Sequence, residues 1–286
     1  MKIIKYVIVS PVRNEDESIA RTIESVISQT IRPIEWIIVN DGSTDRTKEI
    51  VEEYARLNSW IKLVNREDKG HRAGVGPAQA FNEGLGYISK EYEFIINLDG
   101  DVSFEPEYFK NIFSKFALNP RLGIASGKSF YLENGKKVLY RSADYSTMGP
   151  SKVYRKECFI DVGGKLAENI CWDMIDDIKA QIKGWETRSY KDISFIHYKR
   201  IGIKQGNMIK THMKSGQILY TFGYHPIFMI GKVIYRAIDK PYVIGSLAMM
   251  YGYLLSWIKR VRKYDDNELI EYLRKKQMER MKIKWF

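Results

Sequence analysis

An α/β fold built on a mostly parallel central sheet is predicted by three features of the first hundred residues. Short apolar runs of β type recur, each is followed by apolar residues at helical spacing, and polar residues gather where the runs end. KYVIVS opens the pattern as a strand, and Ile19, Ile23, Val26 and Ile27 then share one helical face. EWIIVN is the second strand, followed by a helix with Ile50, Val51, Tyr54 and Leu57 on one side. WIKLV and EFIINL supply the third and fourth strands, with a less regular helix over residues 77–88 between them. Pro106 is placed as the first-turn proline of a fourth helix in EPEYFKNIFSKFA.

The alternation then stops. YLENGKKVLY sets Asn-Gly between two alternating runs, a hairpin signal. WDMIDDIKAQIKGW reads as an acidic helix ended at Gly184, and SFIHYKR places His197 after a short strand. These elements define a first domain over residues 1–200.

Residues 201–286 have a different texture. The chain carries a net charge of +11, yet residues 1–198 hold 28 Lys and Arg against 29 Asp and Glu, whereas residues 199–286 hold 18 against 6. Within this basic region residues 215–231 and 242–258 contain no charged side chain, and Lys232, Arg236, Lys240 and the run from Lys259 to Lys263 flank them. Each segment is near the lower limit for crossing a bilayer, and glycines and Pro226 interrupt them. Helices lying in the headgroup region, with basic flanks on anionic lipid, fit this pattern better than spans. A helical subdomain packed on the sheet is the alternative. Interleaving of the basic residues with long uncharged runs argues against a nucleic-acid track.

Cys158 and Cys171 have no CxxC partner and no clustered histidines, which excludes a disulfide framework or a structural zinc site and fits buried thiols. The apolar run in MKIIKYVIVSPVRNE is too short for a signal peptide, so a cytoplasmic location is expected.

In an open α/β sheet ligands collect outside the carboxyl ends of the strands. Ser10-Pro11, Asn40-Asp41-Gly42-Ser43, and Asp99 with Asp101 all fall there. Asp99 and Asp101, in FIINLDGDV, would raise each other's pKa if left alone. A hard divalent cation shared with diphosphate oxygens would satisfy both, since Mg²⁺ and Mn²⁺ commonly take one or two carboxylates plus substrate phosphates. The plainer reading is an Asx-type turn closing a strand.

Four ordered motifs resemble the family 2 inverting glycosyltransferases of GT-A (Rossmann-like) fold: VSPVRNEDESIARTIESVISQT, VNDGSTDRT, NLDGDV, and GGKLAENICWDMIDDIKAQIKGW. The resemblance covers roughly residues 5–199, and GYHP with the basic aromatic tail resembles members that act at membranes on exported glycans. It implies that Pro11 and Asp41 line the base and ribose pocket of a nucleotide-sugar, that Asp99 reaches ribose or metal, and that Asp101 reaches metal and diphosphate. The family's Ala-Arg-Asn reads Ala80-Phe81-Asn82 here, which leaves Arg72 as the nearest substitute for the arginine. The family's Glu-Asp pair falls on Trp172-Asp173, so Asp173 inherits the aspartate. Asp176 and Asp177 lie three and four residues on, and helical spacing puts the three carboxylates on one face, with Asp173 ahead of Asp176 as the base. His197 is either a third metal ligand or a satisfied structural histidine.

The expected activity is Mn²⁺- or Mg²⁺-dependent inverting transfer of a sugar from a UDP-, GDP- or dTDP-linked donor to a glycan or lipid-linked acceptor. The setting is polysaccharide assembly at the inner face of the cell membrane, on an anionic lipid surface and without nucleic acid. A non-catalytic module binding nucleotide-sugars or membranes on the same scaffold is the alternative. A nucleotidyltransferase fits less well, because SPVRNEDES is net acidic and lacks a glycine-rich loop for a triphosphate.

Overall fold

The computed structural model describes residues 4–70, 72, 74–133, 135–198, 208–238 and 242–284. In chain order the elements are β1 (Tyr6–Val12), α1 (Ile19–Ile27), β2 (Glu35–Asn40), α2 (Thr47–Leu57), β3 (Ile61–Asn65), α3 (Val75–Leu85), β4 (Phe94–Leu98), β5 (Val102–Phe104), α4 (Tyr108–Leu118), β6 (Leu122–Glu133), β7 (Lys136–Leu139), β8 (Ser151–Arg155), α5 (Lys156–Asp161), α6 (Trp172–Ile182), β9 (Glu186–His197), α7 (Met208–Thr221), α8 (Pro226–Arg236), α9 (Val243–Ile258) and α10 (Asn267–Lys284). The chain divides into two compact units, Met1–Lys199 and Arg200–Phe286. The boundary expected at residue 200 lies outside the described residues.

The first unit is a Rossmann-like α/β fold around one curled sheet of strand order β3-β2-β1-β4-β8-β6-β9-β5, with β7 paired to β6. The four strands read from the sequence form its parallel part: β1 lies between β2 and β4, and β3 flanks β2. The near-continuous apolar runs of β1, β2 and β4 are buried, as strands covered on both faces must be, whereas β3 at the edge exposes Lys62 and Asn65. Alternate residues of β1 feed two cores. Tyr6 and Ile8 pack with Ile19, Ile23, Phe109 and Phe113 from α1 and α4. Val7 and Val9 pack with Ala78, Ala80 and Phe81 from α3. Each fully buried side chain of this size stabilises by roughly 1.5–3 kcal/mol.

The reversal between β2 and β4 on either side of β1 is the topological switch point at which open sheets bind ligands. Beyond β4 the sheet continues by antiparallel addition of β8 and then β6, and β9 joins β6 in parallel. β5 closes the series antiparallel to β9.

Several boundaries differ from the sequence reading. β1 runs on through Ser10 and Pro11 to Val12. Its ladder to β4 ends at Val9↔Asn97, so a residue without an N–H is accommodated at Pro11. Leu57, at the end of α2, is 82% exposed rather than part of the buried face. α3 starts earlier than expected and buries Gly76, Ala78, Ala80 and Gly84, small residues that give no strong apolar stripe. A Cβ on Gly84 would lie 2.6 Å from Val9 Cγ1 and 2.9 Å from Val39 Cγ2, so the helix presses its backbone against the sheet. Pro106 precedes α4 by two residues, and its carbonyl accepts from Thr30 N at 3.0 Å. The hairpin is present, with Glu133↔Lys136 as its last pair, and Asn134 lies outside the described residues. Residues 151–155, to which the sequence reading assigned no element, form β8. His197 is the last residue of β9 rather than a residue after a strand.

The second unit is helical among its described residues. The uncharged stretch over residues 215–231 is two helices, not one. Pro226 opens α8, and His225 Nδ1 caps it by accepting from Ile227 N at 3.3 Å. Leu219, Tyr220, Met229, Met249 and Tyr253 form its core. Among the described residues no helix is long and apolar enough to cross a membrane.

Candidate active site

Asp99 and Asp101 occupy the tight connection between β4 and β5. Asp99 N donates to the Pro150 carbonyl at 3.0 Å, and Thr22 Oγ1 donates to the Gly100 carbonyl at 2.9 Å. A Cβ on Gly100 would meet Val12 Cγ1 at 2.9 Å and Glu15 Cγ at 3.2 Å, so the residue between the aspartates must be small. β5 then pairs with β9, and the Val102↔His197 register brings the imidazole to Asp101. His197 Nε2 and Asp101 Oδ2 are 3.1 Å apart, and both residues are buried.

Asp99, Asp101 and His197 each offer a ligand atom within 4.8 Å of the others. Burial pushes the Asp99 carboxyl up to about 7, with the Asp101 charge adding to the effect. Burial disfavours the charged form of His197, but the hydrogen bond and charge of Asp101 outweigh it and raise its pKa. His197 Nδ1 is buried with no hydrogen-bond partner among the described residues. No Lys or Arg among the described residues pairs with either aspartate. The donors, two carboxylates and an imidazole, suit Mn²⁺ or Mg²⁺.

Asp41 follows β2 directly, and its N–H donates to the Val12 carbonyl at 2.9 Å. Three arginines surround it. Arg66 Nη1 lies 2.6 Å from Asp41 Oδ1, Arg72 Nη2 lies 3.4 Å from the same oxygen, and the Arg13 guanidinium donates to the Asp41 carbonyl. Arg72 also donates to Gln79, which bonds Glu168 at 2.7 Å. Gly42 has φ +67° and sits where a Cβ would be 2.5 Å from Asp68 Cα, which fixes the backbone after Asp41. Pro11, half-buried, pairs in register with Val39 at the same sheet edge. Arg13 and Arg66 were not singled out in the sequence, although Arg66 follows β3 as Asp41 follows β2, and the rule that selected one would have selected the other.

Phe81, in place of the expected arginine, is buried against Phe159, with centroids 6.1 Å apart. Asn82 ties α3 to Leu166 through both its amide atoms, at 2.9 and 2.8 Å.

α6 carries the three acids expected to share a face, and the structure separates them. Asp173, in the first turn, is half-buried, and Asp176 and Asp177 are 2% and 4% exposed. Asp176 accepts from the Tyr154 hydroxyl at 2.7 Å, and burial lifts its pKa to about 6. Asp177 accepts from Thr147 N at 2.8 Å and Thr147 Oγ1 at 2.6 Å, and pairs with Lys152 Nζ at 3.1 Å. Lys152, on β8, is fully buried and also donates to the Asp173 carbonyl. This buried lysine offsets the repulsion among carboxylates brought together on one helix, and it went unseen because SKVYR reads as an ordinary polar stretch.

Asp173 is raised too, by burial, with Lys152 opposing. Its charge contributes to the upward shift of Asp99. The turn at Gly149-Pro150 links the two: it receives Asn97 and Asp99 on one side, and a Cβ on Gly149 would lie 3.5 Å from Asp173 Oδ2. The structure thus joins a cluster of metal-ligand type to a raised carboxyl at the carboxyl edge of a Rossmann-like sheet, an arrangement suited to transfer from a phosphorylated donor.

The sequence profile of glycosyl transferase family 2 matches residues 7–170, more than half of the chain, and the chain belongs to that family. It is 36% identical over 114 residues to the poly-β-1,6-N-acetyl-D-glucosamine synthase of Staphylococcus epidermidis, covering 40% of this chain and 26% of that one. It is 30% identical over 148 residues to the putative glycosyltransferase EpsH of Bacillus subtilis, covering 52% and 41%. These matches therefore span less than half of either relative. Among solved structures, S. aureus TarS 1-349 in complex with UDP-GlcNAc aligns at TM-score 0.55 and 22% identity, over 76% of this chain and 67% of that one. The mannosyltransferase PcManGT of Pyrobaculum calidifontis, in complex with GDP-Man and Mn²⁺, aligns at 0.57 and 16%, over 94% and 84%. At these identities the structural likeness carries the fold.

Proposed function

We propose that this glycosyltransferase is metal-dependent and inverting, with residues 1–200 as the catalytic domain and residues 201–286 as a membrane-associating region. The observation that carries the reading is the Asp99, Asp101 and His197 cluster, which has no Lys or Arg partner among the described residues and lies near enough to Asp173 for that charge to add to the Asp99 shift. Nucleotide-sugars in two structural neighbours, one of them with Mn²⁺, support a UDP-, GDP- or dTDP-linked donor and a divalent cation. Asp99, Asp101 and His197 would hold that ion, and when bound it supplies neutralisation of the charge developing on the leaving diphosphate.

The chain's own residues do the rest. Asp41, fixed by Arg66 and Arg72, offers a positioned acceptor to the nucleoside, with Pro11 beside it. Asp173 accepts the proton of the acceptor hydroxyl as that oxygen attacks the anomeric carbon, while the bond to the diphosphate breaks on the opposite face. A carboxyl raised toward neutrality is a better base than an ordinary one. Asp176, held by Tyr154, shapes the helix that presents Asp173. The acceptor is a glycan or lipid-linked glycan handled at the inner face of the cell membrane, in keeping with polysaccharide synthases among the relatives.

The test is Asp173→Asn assayed for transfer from UDP-, GDP- and dTDP-sugars with Mn²⁺, alongside the thermal shift each donor produces. Donor binding should persist while kcat falls about 10²- to 10⁴-fold. Transfer at the wild-type rate would remove Asp173 from the mechanism.

A further inference from the structure

α9 is built inside out for a helix that meets water. Its 16 residues contain no charge. The face turned inward carries small residues, Gly245, Ser246, Gly252 and Ser256, with Met249 and Tyr253. This face meets α7 backbone to backbone: a Cβ on Gly252 would lie 2.0 Å from the Met213 carbonyl oxygen, and one on Gly216 would lie 1.8 Å from that of Met249. The large side chains point out. Ile244, Leu247, Tyr251, Leu254 and Ile258 recur at spacings of three and four and are 41–73% exposed. α8 repeats the pattern with Ile227, Ile230 and Ile234, 51–69% exposed.

Small residues at the helix contact and bulky apolar ones outside is the distribution of helices packed in lipid, not in water. At 16 residues α9 is ~24 Å long, short of a bilayer core. Trp257, 64% exposed, stands at its carboxyl end, followed by exposed Lys259, Arg260, Arg262 and Lys263. An aromatic side chain beside a cationic rim matches the boundary between acyl chains and anionic headgroups. A coiled-coil seam with a second copy would instead carry charged residues beside the apolar positions, and α9 has none.

We infer that the outward faces of α8 and α9 are a docking surface for anionic phospholipid, which enters with the apolar stripe in the acyl boundary and the residues after Ile258 on the headgroups. This deepens the membrane part of the proposed function and does not depend on the sugar-transfer chemistry.

The full chain is floated with vesicles of phosphatidylcholine alone and with one-quarter phosphatidylglycerol, beside Leu247→Glu/Leu254→Glu and Lys259→Glu/Arg260→Glu. Binding should require the anionic lipid. The leucine variant should lower partitioning at least about tenfold, and the basic variant should weaken the salt dependence. Circular dichroism and donor-induced thermal shifts should match wild type in both variants. Loss of donor binding in wild type would fault the transferase mechanism alone. Absence of flotation with intact donor binding, or flotation unchanged by the leucine variant, would overturn the lipid surface. So would sedimentation of the lipid-free chain as a dimer that the leucine variant dissociates, which would assign the face to a second copy.

Discussion

Two pairs of aspartates lie within one domain, and the chain treats them in opposite ways. Asp176 and Asp177 are buried in α6, and the protein answers both, with the Tyr154 hydroxyl for one and with Lys152 and Thr147 for the other. Asp99 and Asp101 are answered by an imidazole of metal-ligand type, and by no Lys or Arg among the described residues. Buried carboxylates cost free energy unless paired. The fold gives the α6 pair a lysine and a hydroxyl, and gives the other pair only a titratable imidazole.

The widest separation of the two pairs should come from neutralising one member of each. Asp101→Asn should lower transfer about 10³-fold and abolish the rise in melting temperature on adding Mn²⁺, while Asp176→Asn, whose amide oxygen still accepts from Tyr154, should keep that response. Equal loss of the Mn²⁺ shift in both would erase the distinction. Next in size is Lys152→Met, which leaves Asp177 buried without its cation and should cost about 3–5 kcal/mol in urea unfolding; a cost below about 1 kcal/mol would mean the lysine is not what holds the pair. Gly100→Ala should destabilise by about 1–3 kcal/mol, because the added methyl needs Val12 to move.

A further expectation concerns pH. Asp176 is raised in the folded chain from the ordinary 3.8 to about 6, so the folded state binds the extra proton and its contribution to stability is lost as pH rises between those values. Urea midpoints of the metal-free protein across that window should fall less steeply in Asp176→Asn than in wild type. Parallel slopes would show that Asp176 is not the group responsible.

The parallel half of the sheet was legible because strands buried on both faces read as near-continuous apolar runs, as β1, β2 and β4 do apart from Ser10, Glu35, Asn40 and Asn97. The aspartates were legible because polar residues at the ends of such strands have few structural reasons to be there. β8 and most of β9 were not, since strands added far along the chain, β8 antiparallel to β4 and β9 parallel to β6, mix polar with apolar residues and leave no local period. Lys152 could not be recognised as buried without knowing that β8 sits beside β4 and under α6. The split among Asp173, Asp176 and Asp177 follows the same logic: spacing placed them on one helix, but Tyr154 and Lys152 decide which carboxylates are enclosed.

The Asp101 to His197 contact joins positions 96 apart in the chain. A chain emerging from the ribosome holds both aspartates long before the histidine is made, and until β9 pairs with β5 it has only two of the three groups. The three-donor cluster is therefore assembled last, when the sheet is complete, and a copy truncated before β9 holds the two aspartates without their imidazole.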